Sequence, residues 1–282
     1  MPEPRFACER ARHRVIDVGG LRLHGLEWGE PGRPALCLLH GGAAHAHWFD
    51  RVAGALTDRF HVLALDQRGH GESQWATPPA YATEDFAGDL AGVADAMGWD
   101  RFVLAGHSMG GHNALAFSAW HPERVRALVF MDARPALPPE RLSRMHERGR
   151  RPMRRHPTAD AAAAAFRLLP RETVADPALL AHLAHAGIVE GAGGWRYRFD
   201  PATYERRKPT DNWLLADRVK APTLIMRAEL SPNLPPETAE RLRAAIGNAT
   251  VVEIPNAYHH ITLDAPDAVA TALDTFLRSI PG

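Results

Sequence analysis

Short runs of uninterrupted apolar residues alternate with longer stretches of helical spacing along most of this chain. "PALCLLHGG", "FHVLALDQ", "RFVLAGHS", "VRALVFMD", "APTLIMRAE" and "ATVVEIPNA" are the apolar runs. "HWFDRVAGALTDR", "YATEDFAGDLAGVADAMG" and "MGGHNALAFSAWHPER" carry the helical spacing. A strand that is apolar throughout needs cover on both faces, so the alternation predicts a parallel sheet with helices on both sides. Ahead of these runs, "RHRVIDVGG" and "LRLHGLEWG" read as a hairpin joined through Gly19-Gly20. Thr83 is expected to open its helix, which has acids in its first turn and Gly98 after its end.

One region breaks the rhythm. Residues 134–211 contain no convincing buried strand, yet they hold too many large apolar residues for a linker. The expected organisation is a core made of residues 1–133 and 212–282, with 134–211 inserted as a helical cap. The length of 282 residues suits one open sheet plus such an insertion. Lys+Arg and Asp+Glu both total 33, so nothing in the overall charge calls for nucleic acid, and no membrane association is expected. No apolar run is long enough to span a bilayer. Cys8 and Cys37 lack metal-ligand spacing and form no disulfide framework. "MPEPRFACERARHRV" lacks the apolar centre of a signal peptide. A cytoplasmic protein, monomer or homodimer, acting on a small-molecule substrate is the expectation.

The stretch "RFVLAGHSMGGHNALAF" supplies the chemistry. Ser108 stands where a buried strand ends and a helix begins, with Gly106 and Gly110 on either side. Serine and glycine are ordinary turn residues, but this placement matches a nucleophile elbow, which lifts the hydroxyl above the carboxyl edge of the sheet. A serine hydroxyl needs a base. The chain has 16 histidines, and only a late loop after a strand suits the order serine, then histidine. "VVEIPNAYHHITLDAP" offers His259 and His260 there.

With these pieces in place the chain resembles the α/β-hydrolase superfamily, in its capped branch of esterases, lactonases, carbon–carbon bond hydrolases, epoxide hydrolases and haloalkane dehalogenases. "LLHGG", "DQRGHGES" and "PNAYHHITLDAP" carry the likeness together with "GHSMGG". The resemblance implies a mostly parallel eight-stranded sheet with helices on both faces and an inserted helical cap. It places the base at His259, with Tyr258 standing where relatives have glycine. It implies an oxyanion hole from the backbone N–H groups of Met109 and Gly42. His40 and the segment Asp66–Ser73 read as braces without a chemical role. No metal and no organic cofactor is implied.

The acid is where this chain departs from its relatives, which most often carry an aspartate after the seventh strand. Ser231 stands there, in "LIMRAELSPNLPPE". Asp132, at the end of the sixth strand, is the preferred substitute, and Glu229 is the alternative acid. Asp264 is expected to cap the last helix. Trp48, His107, Trp195 and His260 are candidate pocket residues. The arginines of the cap's first part, from Arg134 to Arg155, read either as an attraction for anionic substrates or, preferably, as a solvated helix face. The activity implied is hydrolysis of an ester or lactone of a small, mainly apolar compound through an acyl-enzyme on Ser108. Carbon–carbon bond hydrolysis, thioester hydrolysis, perhydrolysis and ligand binding with slow turnover are the alternatives. Serine at the elbow argues against dehalogenase and epoxide-hydrolase chemistry, which in this fold use a carboxylate nucleophile.

Overall fold

The computed structural model describes residues 11–280; Cys8 and most of the N-terminal stretch read above lie outside them. Eight strands form one sheet: β1 (Arg12–Val18), β2 (Leu21–Trp28), β3 (Ala35–Leu39), β4 (His61–Asp66), β5 (Phe102–His107), β6 (Val125–Met131), β9 (Thr223–Ala228) and β10 (Ala249–Ile254). Their order is β1-β2-β4-β3-β5-β6-β9-β10. β2 pairs antiparallel with β1 and β4, and every other pairing in this sheet is parallel. The antiparallel start follows from the Gly19-Gly20 hairpin, and the parallel remainder from the helices between strands.

Side-chain alternation explains why the strands are apolar throughout. In β4, Leu63 and Leu65 join one core cluster while Val62 and Ala64 join the other. In β5, Phe102 and Leu104 face the first cluster, Val103 and Ala105 the second. The first is covered by α2 (Thr83–Ala96), α3 (Met109–Trp120) and α8 (Pro236–Ile246), and the second by α1 (Asp50–Gly54) and α10 (Pro266–Arg278). Each fully buried side chain of this size contributes about 1.5–3 kcal/mol. Buried Cys37 belongs to the first cluster, and burial pushes its thiol up to about 12, as expected of a small core residue.

α2 begins at Thr83, as expected, and the N–H of the preceding Ala82 donates to Asp85 at 2.7 Å. Asp264 ends a short helix, α9 (Ile261–Asp264), and does not cap α10, which Ala265 precedes. Its carboxylate instead accepts from the N–H of Tyr258 at 2.9 Å, from the N–H of Val174 at 3.0 Å and from the Thr173 hydroxyl, tying the residue-134–211 insertion to the loop after β10.

The insertion between β6 and β9 holds α4 (Pro139–Gly149), α5 (Ala159–Ala164), α6 (Pro177–Ala186) and α7 (Ala202–Glu205), but it is not wholly helical. β7 (Ile188–Gly191) and β8 (Gly194–Tyr197) form a separate antiparallel hairpin. The turn needs the positive φ of Gly193 (84°) and Gly194 (107°), and Trp195 and Tyr197 alternate after it. The four-residue strands are too short to be told from a loop by periodicity alone. No helix among the described residues is long and apolar enough to cross a membrane.

β3, β5 and α3 meet backbone to backbone. A Cβ on Gly106 would lie 2.3 Å from the Gly110 carbonyl carbon, and one on Gly110 would lie 2.2 Å from the Leu39 carbonyl oxygen. Gly110→Ala therefore pushes α3 off the sheet. It is expected to cost at least about 2 kcal/mol of stability, read as a lower denaturation midpoint in guanidinium. An unchanged midpoint contradicts this packing.

Candidate active site

The carboxyl ends of β5, β6 and β10 converge at one edge of the sheet. Ser108 follows β5 with φ 53° and ψ −115°, a conformation side chains rarely adopt, directly before α3. Its N–H donates to the Met131 carbonyl at 3.0 Å, so the turn is tied to β6. Asp132 ends β6, also with positive φ (39°), and its N–H donates to Met226 in β9 at 2.8 Å. His259 sits in the loop after β10.

Three side chains then form a line. His259 Nδ1 lies 2.8 Å from Asp132 Oδ2, and His259 Nε2 lies 3.0 Å from Ser108 Oγ. An ionised carboxylate only accepts, which fixes the proton of neutral His259 on Nδ1. Nε2 is then the acceptor for the serine hydroxyl. Asp132 is fully buried. Burial pushes its carboxyl above the ordinary range, and the Ser231 hydroxyl (2.6 Å to Oδ2) and the Ala228 N–H (3.2 Å to Oδ1) oppose that rise. Burial holds the His259 imidazole well below its usual range, helped by His260, Arg141 and Arg134. The imidazole is therefore held in its neutral form, the form that a group abstracting a proton needs.

Glu229 is not brought to His259. It is exposed, and its carboxylate accepts from the N–H of Asn256 at 2.7 Å. The loop after β9 contributes support instead of an acid. The Ser231 hydroxyl donates to Asp132 and accepts from the N–H of Asn233 at 3.1 Å, while the Asn233 side-chain amide donates to the Asp132 carbonyl at 2.6 Å. Sequence reasoning marked Ser231 as the position lacking a carboxylate. It did not see that a hydroxyl there serves a carboxylate one strand away.

The loop after β3 lies against the elbow. A Cβ on Gly41 would meet Ser108 Cβ at 3.3 Å. Among the described residues neither the Gly42 N–H nor the Met109 N–H has a hydrogen-bond partner. Met109 is the first residue of α3, where backbone N–H groups are free by geometry. His40 braces this loop: its Nδ1–H donates to Gly41 O at 2.7 Å and its Nε2 accepts from the Gln67 N–H at 3.0 Å. Asp66 adds a second brace by accepting from the N–H of Ala46 at 2.6 Å.

A cavity of about 610 Å³ opens above Ser108. Gly42, Trp48, His107, Met109 and His260 line it, together with Ser108 and His259. His107 also positions the base, because its Nε2–H donates to the His259 carbonyl at 2.7 Å. His260 Nε2–H donates to Pro170 O at 2.9 Å, which anchors the insertion to the same loop. Trp195 does not line the cavity. Its backbone exchanges two bonds of 2.8 Å with His156, and its hairpin packs on α5, so the aromatic alternation of β8 serves the insertion itself.

The cavity wall is also less apolar than expected. Leu137, Met145 and Leu169 contribute, but so do Arg134, Arg141, Arg144, Arg148, Arg151 and Arg207. Arg141, Arg144, Met145 and Arg148 share one face of α4 by their spacing, and that face looks into the cavity. Arg207 carried no signal in the sequence. Two groups of metal-capable side chains lie elsewhere: His47, Asp50 and His182, and His13, His24 and Glu72. None of these six lines the cavity. Asp50 accepts from His47 and His182, each at 2.9 Å, which joins α6 to the loop after β3.

The sheet order, the serine elbow after β5 and the histidine loop after β10 define an α/β-hydrolase. The chain belongs to this family, since the family model for the alpha/beta hydrolase fold matches residues 34–266. It is 27% identical to 2-(acetamidomethylene)succinate hydrolase of Mesorhizobium japonicum, over 96% of this chain and 97% of that protein. It is similar to the crystal structure of E-2-(acetamidomethylene)succinate hydrolase, with TM-score 0.84 and 26% identity over 95% of this chain and 100% of that one. It is also similar to the enol-lactonase of Burkholderia xenovorans, with TM-score 0.79 and 26% identity over 94% of this chain and 100% of that one.

The lowered pKa of His259 sets the expected pH dependence of any reaction that needs its neutral form. The imidazole stays neutral down to its depressed pKa and protonates below it. The acid limb of kcat/KM is therefore expected below the ordinary histidine value of about 6.5. A midpoint at or above that value, measured with a substrate of constant charge, contradicts the assignment.

Proposed function

We propose that this protein is a serine hydrolase that cleaves an ester or lactone through an acyl-enzyme. The observation that carries this reading is the unbroken line Ser108 Oγ to His259 Nε2, and His259 Nδ1 to Asp132, at 3.0 and 2.8 Å. Ser108 attacks the carbonyl carbon as His259 takes its proton. The carbonyl oxygen, now an oxyanion, accepts from the Gly42 and Met109 N–H groups. Asp132 holds the tautomer and stabilises the imidazolium. His259 returns the proton to the leaving alkoxide, and the alcohol departs, or stays tethered when the substrate is a lactone. Water, deprotonated by His259, then attacks the acyl-enzyme. The acid is released and Ser108 regains its proton.

The insertion acts as a cap that roofs the cavity, and the volume of that cavity suits a small molecule. The likeness to a lactonase along nearly the full length of both chains favours acyl–oxygen cleavage. Hydrolysis of a carbon–carbon bond or of a thioester uses the same groups on a different bond, and perhydrolysis uses them with hydrogen peroxide attacking the acyl-enzyme in place of water.

The test is hydrolysis of p-nitrophenyl esters and small lactones by the wild type and three variants. Ser108→Ala and Asp132→Asn are each expected to lower kcat by about 10³-fold or more, and Glu229→Gln by less than about twofold. A fluorophosphonate is expected to label Ser108 and no other residue. An inert wild type whose Ser108 resists the probe removes the reading. Retained activity in Asp132→Asn removes the assignment of the acid.

A further inference from the structure

The arginines of the cavity are graded by burial. Arg144, Arg148 and Arg151 are exposed, Arg134 and Arg141 are half-buried, and Arg207 is only 2% exposed. Exposed arginines on a helix are ordinary, and solvent screens them. The inner three are different. None of the six is within ion-pairing distance of a carboxylate among the described residues, although Glu147 lies in the same wall.

Arg134 Nε and Arg141 Nη1 instead converge on one neutral acceptor, Asn233 Oδ1, at 3.0 and 3.1 Å. Arg134 Nη2 also donates to Pro232 O at 3.0 Å. Two guanidinium groups brought together repel each other; burial together with Arg134 lowers the Arg141 pKa, and the buried Asp132, which pairs with neither, offsets only part of this. Both lie close enough to His259 to push its imidazole down. Arg207 donates to Asn113 Oδ1 at 2.7 Å and stacks over Phe86, yet its Nη1 is buried with no hydrogen-bond partner. Burial lowers it to about 10, so it is still a cation at neutral pH. An unpaired buried charge is costly to the fold, and a site that keeps one is a ready receptor for the opposite charge.

We propose that the substrate carries an oxyanionic group, carboxylate or phosphate, held by Arg134 and Arg141 beside the reacting carbonyl, with Arg207 completing the positive wall and Arg144, Arg148 and Arg151 drawing the anion to the mouth. This inference rests on the hydrolase reading and narrows its substrate class. It replaces the mainly apolar compound expected from the sequence. A neutral net charge does not oppose it, because the field inside a cleft is set by the charges that line it.

The experiment compares mono-p-nitrophenyl succinate with p-nitrophenyl butanoate, which share a leaving group and differ in one charge. At low ionic strength the wild type is expected to prefer the succinate half-ester in kcat/KM by about tenfold or more. Arg141→Gln is expected to lower that ratio about tenfold, through KM and kcat together, as for the loss of one charge-assisted hydrogen bond. Arg141→Lys is expected to restore part of it, and added salt to reduce it. A wild-type ratio near one, or a ratio untouched in Arg141→Gln, overturns the proposal.

Thermal melting of Arg141→Gln checks that the variant is folded, and Arg134→Gln gives a second reading of the same subsite. Free succinate and inorganic phosphate, used as competitive inhibitors, separate the two oxyanions. Inhibition by either supports the subsite, and inhibition by neither counts against it. If no ester is hydrolysed and Ser108 resists the probe, the ester reading falls alone. Calorimetric binding of succinate or phosphate to the wild type, lost in Arg141→Gln, then still decides the anion site.

Discussion

The site depends on a close contact between backbones. Ser108 holds φ 53° and ψ −115° because α3 rests directly on the ends of β3 and β5, and only glycine at 106 and 110 leaves room for that approach. A strained backbone persists where the surroundings over-determine it. Here they do so three ways: the Ser108 N–H bonds to β6, the Gly41 loop lies so close that a Cβ at 41 would crowd the Ser108 side chain, and the Ser108 carbonyl accepts from the His112 N–H. The strained turn puts the hydroxyl at the edge where β6 delivers Asp132 and the β10 loop delivers His259. The same turn leaves the first N–H of α3 without an intrahelical partner.

Much of this was legible because it is written in short-range pattern. Uninterrupted apolar runs gave the parallel strands, and glycine around Ser108 gave the elbow. Strand ends narrowed the base to His259 or His260, and the resemblance to α/β-hydrolases pointed to His259 and to Asp132. The contacts between loops were not legible. Ser231 donates to Asp132 across 99 positions of sequence, and no local signal marks such a bond. Asp264 suited a helix cap by its place before Ala265-Pro266, but three donors, two of them from residues more than 80 positions away, compete for its oxygens. Trp195 is a pocket candidate in the sequence because it is an aromatic of the expected cap. The turn at Gly193-Gly194 decides its direction, and a four-residue strand shows too little periodicity to reveal that.

The displaced acid is coherent as chemistry. The buried carboxylate at β6 needs donors to stay ionised, since burial alone raises its pKa. The loop after β9 supplies them through Ser231 and through the N–H of Ala228. The loop after β9 acts as donor, while Asp132 at the end of β6 reaches His259 Nδ1 at 2.8 Å. Glu229, which stayed in that loop, turns outward to hold Asn256. A carboxylate there as well would place two acids around one imidazole and raise the cost of ionising either.

The arginines tie substrate charge to the base. Arg134 and Arg141, after burial itself, depress the His259 imidazole. An oxyanion bound between them, as proposed, cancels part of their field at His259. The imidazole then becomes more basic in the complex than in the free enzyme, when it must accept the serine proton and carry a positive charge. Asp132 already favours that imidazolium from the other side. A neutral substrate leaves the arginines uncompensated and the base weak, so the same charges that select a substrate also withhold full proton-transfer ability from the wrong one. Selectivity of this kind appears in kcat as well as in KM, because the interaction strengthens as charge develops in the transition state. It needs no movement of the chain, only the placement of two guanidinium groups on a neutral amide oxygen where a carboxylate would have silenced them.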